Sequence, residues 1–327
     1  MSDTNPEAEI EAIGPDLSSV QRAQPGVVWV FLGPQGIRAG WGILLFGGIW
    51  YALFYALQWL LMPHVHFDPQ SGVPPGTGMV VELVQFIPAV IATWVLSRIE
   101  GRPVLAYGFE GRARAVRLVS GLAWGFVAIS GLVLTLWKLG YLALQPGMLP
   151  AGTAAKDAAL WGVVFLVVGF FEESFFRGYA QFTLMRGVGF WWGALLFAAV
   201  FGFMHRTNPG ESPVGLASVV GVGLVFCLSV WYTGSLWWAV GFHAAWDWGQ
   251  SYFYGTADSG MVAGGHLLRE HPVGAVLWSG GTTGPEGSIL VVPVLLVMAL
   301  AMALWWGRRV QSPFAEAAWK PLRKRIQ

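Results

Sequence analysis

Apolar residues occur in eight long runs along the 327-residue chain, separated by polar stretches rich in glycine and proline. A helix that crosses a bilayer needs about 20 predominantly apolar residues. Five runs satisfy this with at most one acid inside them, and three others are apolar but carry ionisable residues inside them. The pattern predicts an all-α polytopic membrane protein, a bundle of about eight transmembrane helices. The predicted spans are residues 41–62, 79–97, 118–137, 158–185, 191–205, 214–232, 235–250 and 289–306.

The composition supports a membrane protein and excludes an ordinary soluble enzyme. Hydrophobic residues make up 55% of the chain and charged residues 11%, with a mean hydropathy of +0.57, whereas soluble proteins carry about 25% charged residues. The net charge of +1 gives no basic field for binding nucleic acid. Because Cys227 is the only cysteine, no intrachain disulfide or CxxC site is predicted, and no motif indicates an organic cofactor.

The distribution of polar residues predicts four regions and an orientation. Residues 1–26 are polar and acidic, lack the basic start of an export signal, and are predicted to be a disordered tail. Residues 27–157 hold the first three spans and a cytoplasmic amphipathic segment at 102–117, residues 158–306 hold the remaining spans, and residues 307–327 form a basic tail. If the N-terminus is inside, 14 basic residues fall in inner segments and four in outer loops. This asymmetry predicts that both termini are cytoplasmic.

Ionisable side chains inside the fourth span need an explanation, since each costs at least about 2.5–3.5 kcal/mol at bilayer depth. Glu173 and Arg177 are four residues apart, so they share a helical face and can form an ion pair. Glu172 points about 100° away and lacks that partner. The simpler interpretation is a structural ion pair with a spare acid at an interface.

The fifth and seventh spans each carry a histidine. The fifth ends at His205, and a lone histidine at a helix end is more often interfacial or structural than catalytic. In the seventh, His243 and Asp247 share a face, so the carboxylate can orient the imidazole. This pair alone could equally serve only packing.

The positions of these residues along their helices predict that they meet. Glu172 lies 16 residues before Val188, and His205 lies 16 residues after Gly189, so both lie about 24 Å from one turn. His243 reaches the same level if the inner end of this hairpin protrudes by about 10 Å from the membrane. A shared site in the cytoplasmic half of the bundle is therefore predicted.

Such a set of side chains permits hydrolysis in two ways. A carboxylate beside an imidazole can deprotonate a water molecule. Alternatively, Glu172, His205 and His243 supply the two-histidine, one-carboxylate ligand set of a catalytic Zn²⁺ whose fourth ligand is water. No HExxH motif of the soluble metalloproteases is present, and the residues leave both options open.

These three motifs resemble those of the CAAX prenyl protease and bacteriocin-processing (CPBP, or Abi) family of intramembrane peptidases, which are relatives of the type II CAAX endopeptidase. The family pattern is EExxxR, then FxxxH, then HxxxN or HxxxD, on three helices of an eight-helix bundle. This chain reads Glu172-Glu173-Ser-Phe-Phe-Arg177, then Phe201-Gly-Phe-Met-His205, then His243-Ala-Ala-Trp-Asp247. The motifs lie within residues 158–306, which the resemblance implies are the catalytic domain.

The resemblance implies a bacterial plasma-membrane metalloendopeptidase that cleaves membrane-associated proteins or peptides. It also implies a role for each pair of motif residues. Glu172 and His205 would activate water, and Glu173 and Arg177 would hold the helix. His243 and Asp247 would complete the site. Asp247 stands where many members have asparagine, and a carboxylate donates no hydrogen bond to an oxyanion unless it is protonated. Family members are called metalloproteases, although a metal-free glutamate mechanism has also been proposed, so Zn²⁺ is one of two options.

Two other functions fit the same residues. One is a non-catalytic immunity or partner-binding protein that uses the scaffold without cleavage. The other is a proton-coupled transporter, because intramembrane glutamate and histidine also form proton relays. Against a transporter, the buried charge is expected only in the second half of the chain, without matching interrupted helices in the first half.

Overall fold

The computed structural model describes residues 28–33, 36–66, 72–147, 149–309 and 312–314. The predicted tail at 1–26 and most of the predicted basic tail at 307–327 lie outside the described residues. Each predicted span is helical in the structure. The bundle helices are α1 (Ala39–Leu61), α2 (Pro75–Glu100), α3 (Arg114–Lys138), α4 (Ala151–Val188), α5 (Phe190–His205), α6 (Pro213–Thr233), α7 (Trp237–Asp247, continued by the π-helical segment Trp248–Phe253) and α8 (Val291–Trp305).

Helix length and composition agree with a membrane-spanning bundle. Within the described residues, five helices are long and apolar enough to cross a membrane, namely α1 to α4 and α6. Helices α5 and α8 are apolar but shorter, at 16 and 15 residues, and α7 has 11 residues before its π-helical extension. The chain is an all-α polytopic membrane protein, as the hydropathy pattern predicted.

The remaining elements are small. Residues 28–38 form a unit of their own, in which the helical turn Val28–Phe31 leads into the antiparallel strands β1 (Leu32–Gly33) and β2 (Gly36–Ile37). In the main unit, β3 (Leu142–Pro146) pairs antiparallel with β4 (Leu268–Pro272), and a short helix covers Val276–Ser279. Further 3₁₀ turns cover Met62–His64, Val104–Ala106, Gly281–Thr283 and Pro285–Gly287.

The segment predicted to be amphipathic differs from a surface helix. Between Arg102 and Ala113 it contains only the 3₁₀ turn Val104–Ala106, and α3 begins at Arg114. Tyr107 follows that turn and is buried. The segment is therefore a connection that packs onto the bundle through its tyrosine.

Four connections between helices gather at one end of the bundle, which we call the capped end. Their described residues are 62–66 and 72–74, 139–147 and 149–150, 206–212, and 254–290. Besides the β3–β4 pairing, Val73 N–H donates to Val262 O at 3.2 Å, and Thr283 Oγ1 donates to Gly210 O at 2.9 Å. At the opposite end, Leu236 N–H donates to Gly108 O at 2.8 Å. The long connection after α7 is thus a folded cap that contacts the other three.

Glycines bring α3 and α7 into close contact. A Cβ added at Gly125 of α3 would overlap the carbonyl oxygen of Phe242, and one added at Gly241 of α7 would overlap that of Leu118. Small residues at helix interfaces allow the backbones to approach closely. This contact fixes the position of α7, and hence of His243, which follows Phe242 in the chain.

Candidate functional site

The EExxxR motif lies where α4 changes its helical geometry. The helix is α-helical over Ala151–Glu172, π-helical over Glu173–Tyr179 and α-helical again over Ala180–Val188. Within the π-helical segment, Gly178 departs from helical backbone angles (φ −86°, ψ −119°). Such segments are frequently found at functional sites.

Beside the pocket, a single carboxylate oxygen contacts both an arginine and a histidine. Arg177 Nη1 donates to Glu173 Oε1 at 3.0 Å, and His243 Nδ1 lies 3.0 Å from the same oxygen. The side chains of Glu173 and Arg177 are both 0% exposed. The predicted ion pair within α4 is present, but the sequence did not reveal that it also holds His243.

The imidazole of His243 lies among three carboxylates. While Nδ1 faces Glu173, Nε2 lies 3.4 Å from Glu172 Oε2 and 3.4 Å from Asp247 Oδ2. An imidazolium can donate on both sides at once, so this environment favours the protonated ring. The structure therefore brings Asp247 to His243, as their spacing predicted, and adds Glu172 to the same nitrogen.

His205 is fixed by its own helix. Its Nδ1 lies 2.8 Å from Phe201 O. Since a carbonyl oxygen can only accept, Nδ1 carries the proton, and Nε2 of the neutral ring retains a lone pair. The Phe201 ring lies next to His205 and also next to His243, with centroid distances of 4.7 and 6.3 Å. His205 is thus oriented as a base or ligand through Nε2.

A pocket of about 340 Å³ inside the bundle brings the motif residues together. Four predicted site residues line it, namely Glu172, His205, His243 and Asp247. Glu173 and Arg177 do not line it and lie behind His243. Its walls are largely apolar and include Val81, Trp161, Phe165, Val168, Val219 and Val222. Such a pocket with a few convergent polar groups is typical of a binding or active site.

Three acids that sequence reasoning did not assign also line this pocket. Glu82 comes from α2, and Asp258 and Glu286 come from the connection after α7. The expectation that buried charge is confined to the second half of the chain is therefore wrong, since Glu82 belongs to the second helix. The signal for Glu82 was an acid inside an apolar span, whereas Asp258 and Glu286 gave no signal because their connection was assumed to be solvated.

The two acids of the connection are held by serines. Ser251 Oγ donates to Asp258 Oδ2 at 2.9 Å, and both N–H and Oγ of Ser259 donate to Glu286 Oε1. Burial raises the pKa of Asp258 to about 6. Burial and the neighbouring Asp258 raise the pKa of Glu286 to about 8.

The pocket lies nearer the capped end than predicted. Its lining includes Val73, Asn208 and residues 258, 259, 261–263 and 286 of the connections at that end. Helix α1 begins and α8 ends at the opposite end. The site in the cytoplasmic half and the cytoplasmic termini both stay predictions. The helix-end residue His205 and the folded connection after α7 draw the pocket toward the capped end.

The predicted zinc ligands were compared with the requirements of a metal centre. A catalytic zinc site needs three protein ligands around one point. Within the part of the chain that the structure describes, no group of three or more histidine, cysteine, aspartate or glutamate side chains is arranged to hold a metal ion. Glu172, His205 and His243 share the pocket without forming such a set, so Zn²⁺ stays a prediction.

The helical bundle and the lining of its pocket define a class of protein. It is a helical membrane protein in which buried acids and histidines surround an internal pocket. Residues 153–249 match the model of the family described as Rce1-like, type II CAAX prenyl endopeptidase. Residues 153–249 are thus similar to the CAAX protease family, and this confirms the resemblance of the motifs. The range includes the six predicted site residues, whose individual roles stay predictions, as do the domain limits 158–306. No curated protein and no solved structure matches the chain.

Proposed function

We propose that the protein is an intramembrane endopeptidase that hydrolyses peptide bonds of membrane-associated proteins or peptides. One observation carries the proposal: Glu172, His205 and His243 line a single pocket between membrane-spanning helices. The family match over residues 153–249 supports a protease.

The geometry supports a mechanism in which a water molecule attacks the peptide carbonyl. Glu172 accepts the proton of the water and later delivers it to the leaving amine, while Nε2 of His205 accepts a second hydrogen bond that orients the water. The imidazolium of His243 donates through Nδ1 to Glu173, which leaves Nε2–H to donate to the oxygen on which negative charge develops, and Asp247 beside Nε2 stabilises the positive charge. A buried donor of this kind contributes more than it would in water because the surrounding dielectric is low.

We further propose a bacterial plasma-membrane location with both termini in the cytoplasm, which the distribution of basic residues favours. The pocket then opens toward the exterior face, since the capped end is opposite to the end at which α1 begins. Substrates would reach it from that face or from within the bilayer. In the metal-dependent form of the proposal, Glu172, His205 and His243 would hold Zn²⁺, which would supply an activated water.

Cleavage by protein reconstituted in liposomes tests this function. The probes are quenched fluorogenic lipopeptides, including prenylated peptides with a CAAX terminus. Glu172→Ala and His205→Ala should each lower kcat/KM by about 10²–10⁴-fold, with unchanged yield and melting temperature. Glu110→Gln is the matched control, because Glu110 is exposed and lies in the connection before α3, away from the pocket. Cleavage at the parental rate by either alanine variant contradicts the assignment.

Metal content separates the two forms of the mechanism. Purified parent protein is compared with the double variant His205→Ala/His243→Ala by elemental analysis. Stoichiometric metal in the parent alone supports the zinc form, and equal near-zero content in both supports the glutamate form.

The position of Glu82 favours a second candidate function, that of a proton-coupled transporter. Its carboxylate extends the set of intramembrane acids to the first half of the chain, which removes one argument against a proton relay. A proton flux in the same liposomes that depends on Glu82 and Glu172, without any cleavage, would favour that function over the peptidase.

A further inference from the structure

The pocket is lined by more carboxylates than the proposed hydrolysis uses. Glu82, Asp258 and Glu286 line the pocket together with Glu172 and Asp247. No lysine or arginine occurs among the described residues of this lining. Among the described lining residues, five carboxylates thus face one cavity, and His205 and His243 are the other ionisable groups.

Among these acids, Glu82 is the one that lacks a partner. Asp258 and Glu286 accept hydrogen bonds from serines, whereas within the described residues Glu82 makes no hydrogen bond or ion pair. It interacts electrostatically with Glu172, which repels it, and with His243. Glu82 is partly accessible, lies mostly among protein atoms and lines the pocket. An unpaired carboxylate inside a membrane span is expensive, and such groups mark binding or transport sites.

The negative charge of the pocket lining indicates which kind of group would neutralise it. A cationic group placed among the carboxylates gains the attraction of several charges in a medium of low dielectric. The long aliphatic stems of lysine and arginine pack against apolar surface while their charged ends reach polar groups. Val81 and Trp161 supply such a surface in the same lining as Glu82.

We propose that the pocket selects peptides with a lysine or arginine side chain close to the scissile bond, and that Glu82 is the specificity-determining residue that receives it. This inference rests on the proposed peptidase function and adds a substrate class to it. Glu82 comes from α2, which lies outside the range that matches the protease family. The preference is therefore a property of this chain and not of the shared motifs.

Matched peptides test the preference. N-acetylated, lipid-anchored fluorogenic peptides carry either lysine or acetyl-lysine at each position next to the scissile bond, so that only the side-chain charge differs. The parent should cleave one lysine peptide with a kcat/KM about tenfold or more above its acetylated counterpart, as expected for a charge-assisted hydrogen bond. Glu82→Gln should bring this ratio toward one, Glu82→Asp should retain most of it, and Glu110→Gln should leave it unchanged.

Binding measurements separate this inference from the peptidase function. In the Glu172→Gln background, the affinity of fluorescent lysine and acetyl-lysine peptides is measured with and without Glu82→Gln. Cleavage without any preference for lysine, or a preference that survives Glu82→Gln, overturns the inference and leaves the peptidase intact. Absent cleavage combined with a lysine preference in binding that requires Glu82 overturns the peptidase and retains the cation site.

Discussion

Two clusters of buried carboxylate and arginine occur in this bundle, and they differ in how fully their polar atoms are paired. The end cluster lies where α2 ends and is centred on Glu100. The Glu100 carboxylate accepts from Tyr179 at 2.7 Å, from Tyr107 at 3.0 Å, and from Nη1 and Nη2 of Arg186 at 3.0 and 3.1 Å. Arg102 Nε lies 3.5 Å away. Both carboxylate oxygens therefore have several donors.

The central cluster is Glu173, Arg177 and His243, beside the pocket. Glu173 Oε1 accepts from the other two residues, while Glu173 Oε2 and the Nε and Nη2 atoms of Arg177 are buried without a partner in the described structure. A partly satisfied polar network is a costly way to stabilise a core. The comparison indicates that the end cluster stabilises the fold, whereas the central cluster is maintained to position His243.

The largest expected effect is that of Arg177→Met. Removing the guanidinium leaves the Glu173 carboxylate buried with only His243 as a partner, which typically costs about 3–5 kcal/mol. Denaturant unfolding in detergent measures this loss, and peptide cleavage should fall with it because Glu173, no longer held by Arg177, positions His243 less precisely.

The double variant Glu173→Leu/Arg177→Met tests whether the central cluster stabilises the fold or positions His243. Replacing a buried ion pair by apolar residues is often neutral for stability, so the double variant should recover most of the free energy of unfolding. It should remain inactive, because His243 has lost the carboxylate at Nδ1. Full activity in a stable double variant would show that the central cluster is structural, like the end cluster.

A smaller effect is expected from Arg186→Met in the end cluster. Glu100 keeps two tyrosine donors, so the free energy of unfolding should fall by about 1.5–3 kcal/mol, the value of a hydrogen bond to a charged group. Activity per folded molecule should stay within about twofold, since Arg186 does not line the pocket. A loss of activity as large as that of Arg177→Met would remove the distinction between the clusters.

Packing can displace the central cluster without changing its charges. A Cβ at Gly125 would overlap the carbonyl oxygen of Phe242, next to His243, so Gly125→Ala must push α7 away from α3. Overpacking of this kind costs about 1–3 kcal/mol, and kcat should fall through the shift of His243. Gly131→Ala on the same helix is the matched control, because its added Cβ meets no atom. Equal behaviour of the two variants would contradict the positioning role of this contact.

Parts of this arrangement could be predicted from the sequence because they depend on local periodicity. Apolar runs gave the helices, and a spacing of four residues gave the pairs Glu173–Arg177 and His243–Asp247. Contacts between distant segments carry no such signal. The approach of His243 to Glu173 depends on the π-helical turn of α4 and on the glycine contact between α3 and α7. Glu82 was recognisable as a misplaced acid, but only the packing of α2 shows which pocket it faces.

A pH-dependent effect is expected at the acids of the capped end, which differ from both clusters in lacking an arginine. Burial and Asp258 raise the pKa of Glu286 to about 8, above the value of about 4.3 expected in the unfolded chain. The folded state therefore holds this proton more tightly, so its contribution to stability is complete below about pH 4 and is lost as the pH rises toward 8. The melting temperature should fall between pH 5 and pH 9, and Glu286→Gln should reduce that fall because glutamine stays neutral while its carbonyl still accepts from Ser259. Tryptophan fluorescence during heating measures this, with Glu110→Gln as the control, and an identical pH dependence in parent and Glu286→Gln would show that the capped end tolerates a charged Glu286.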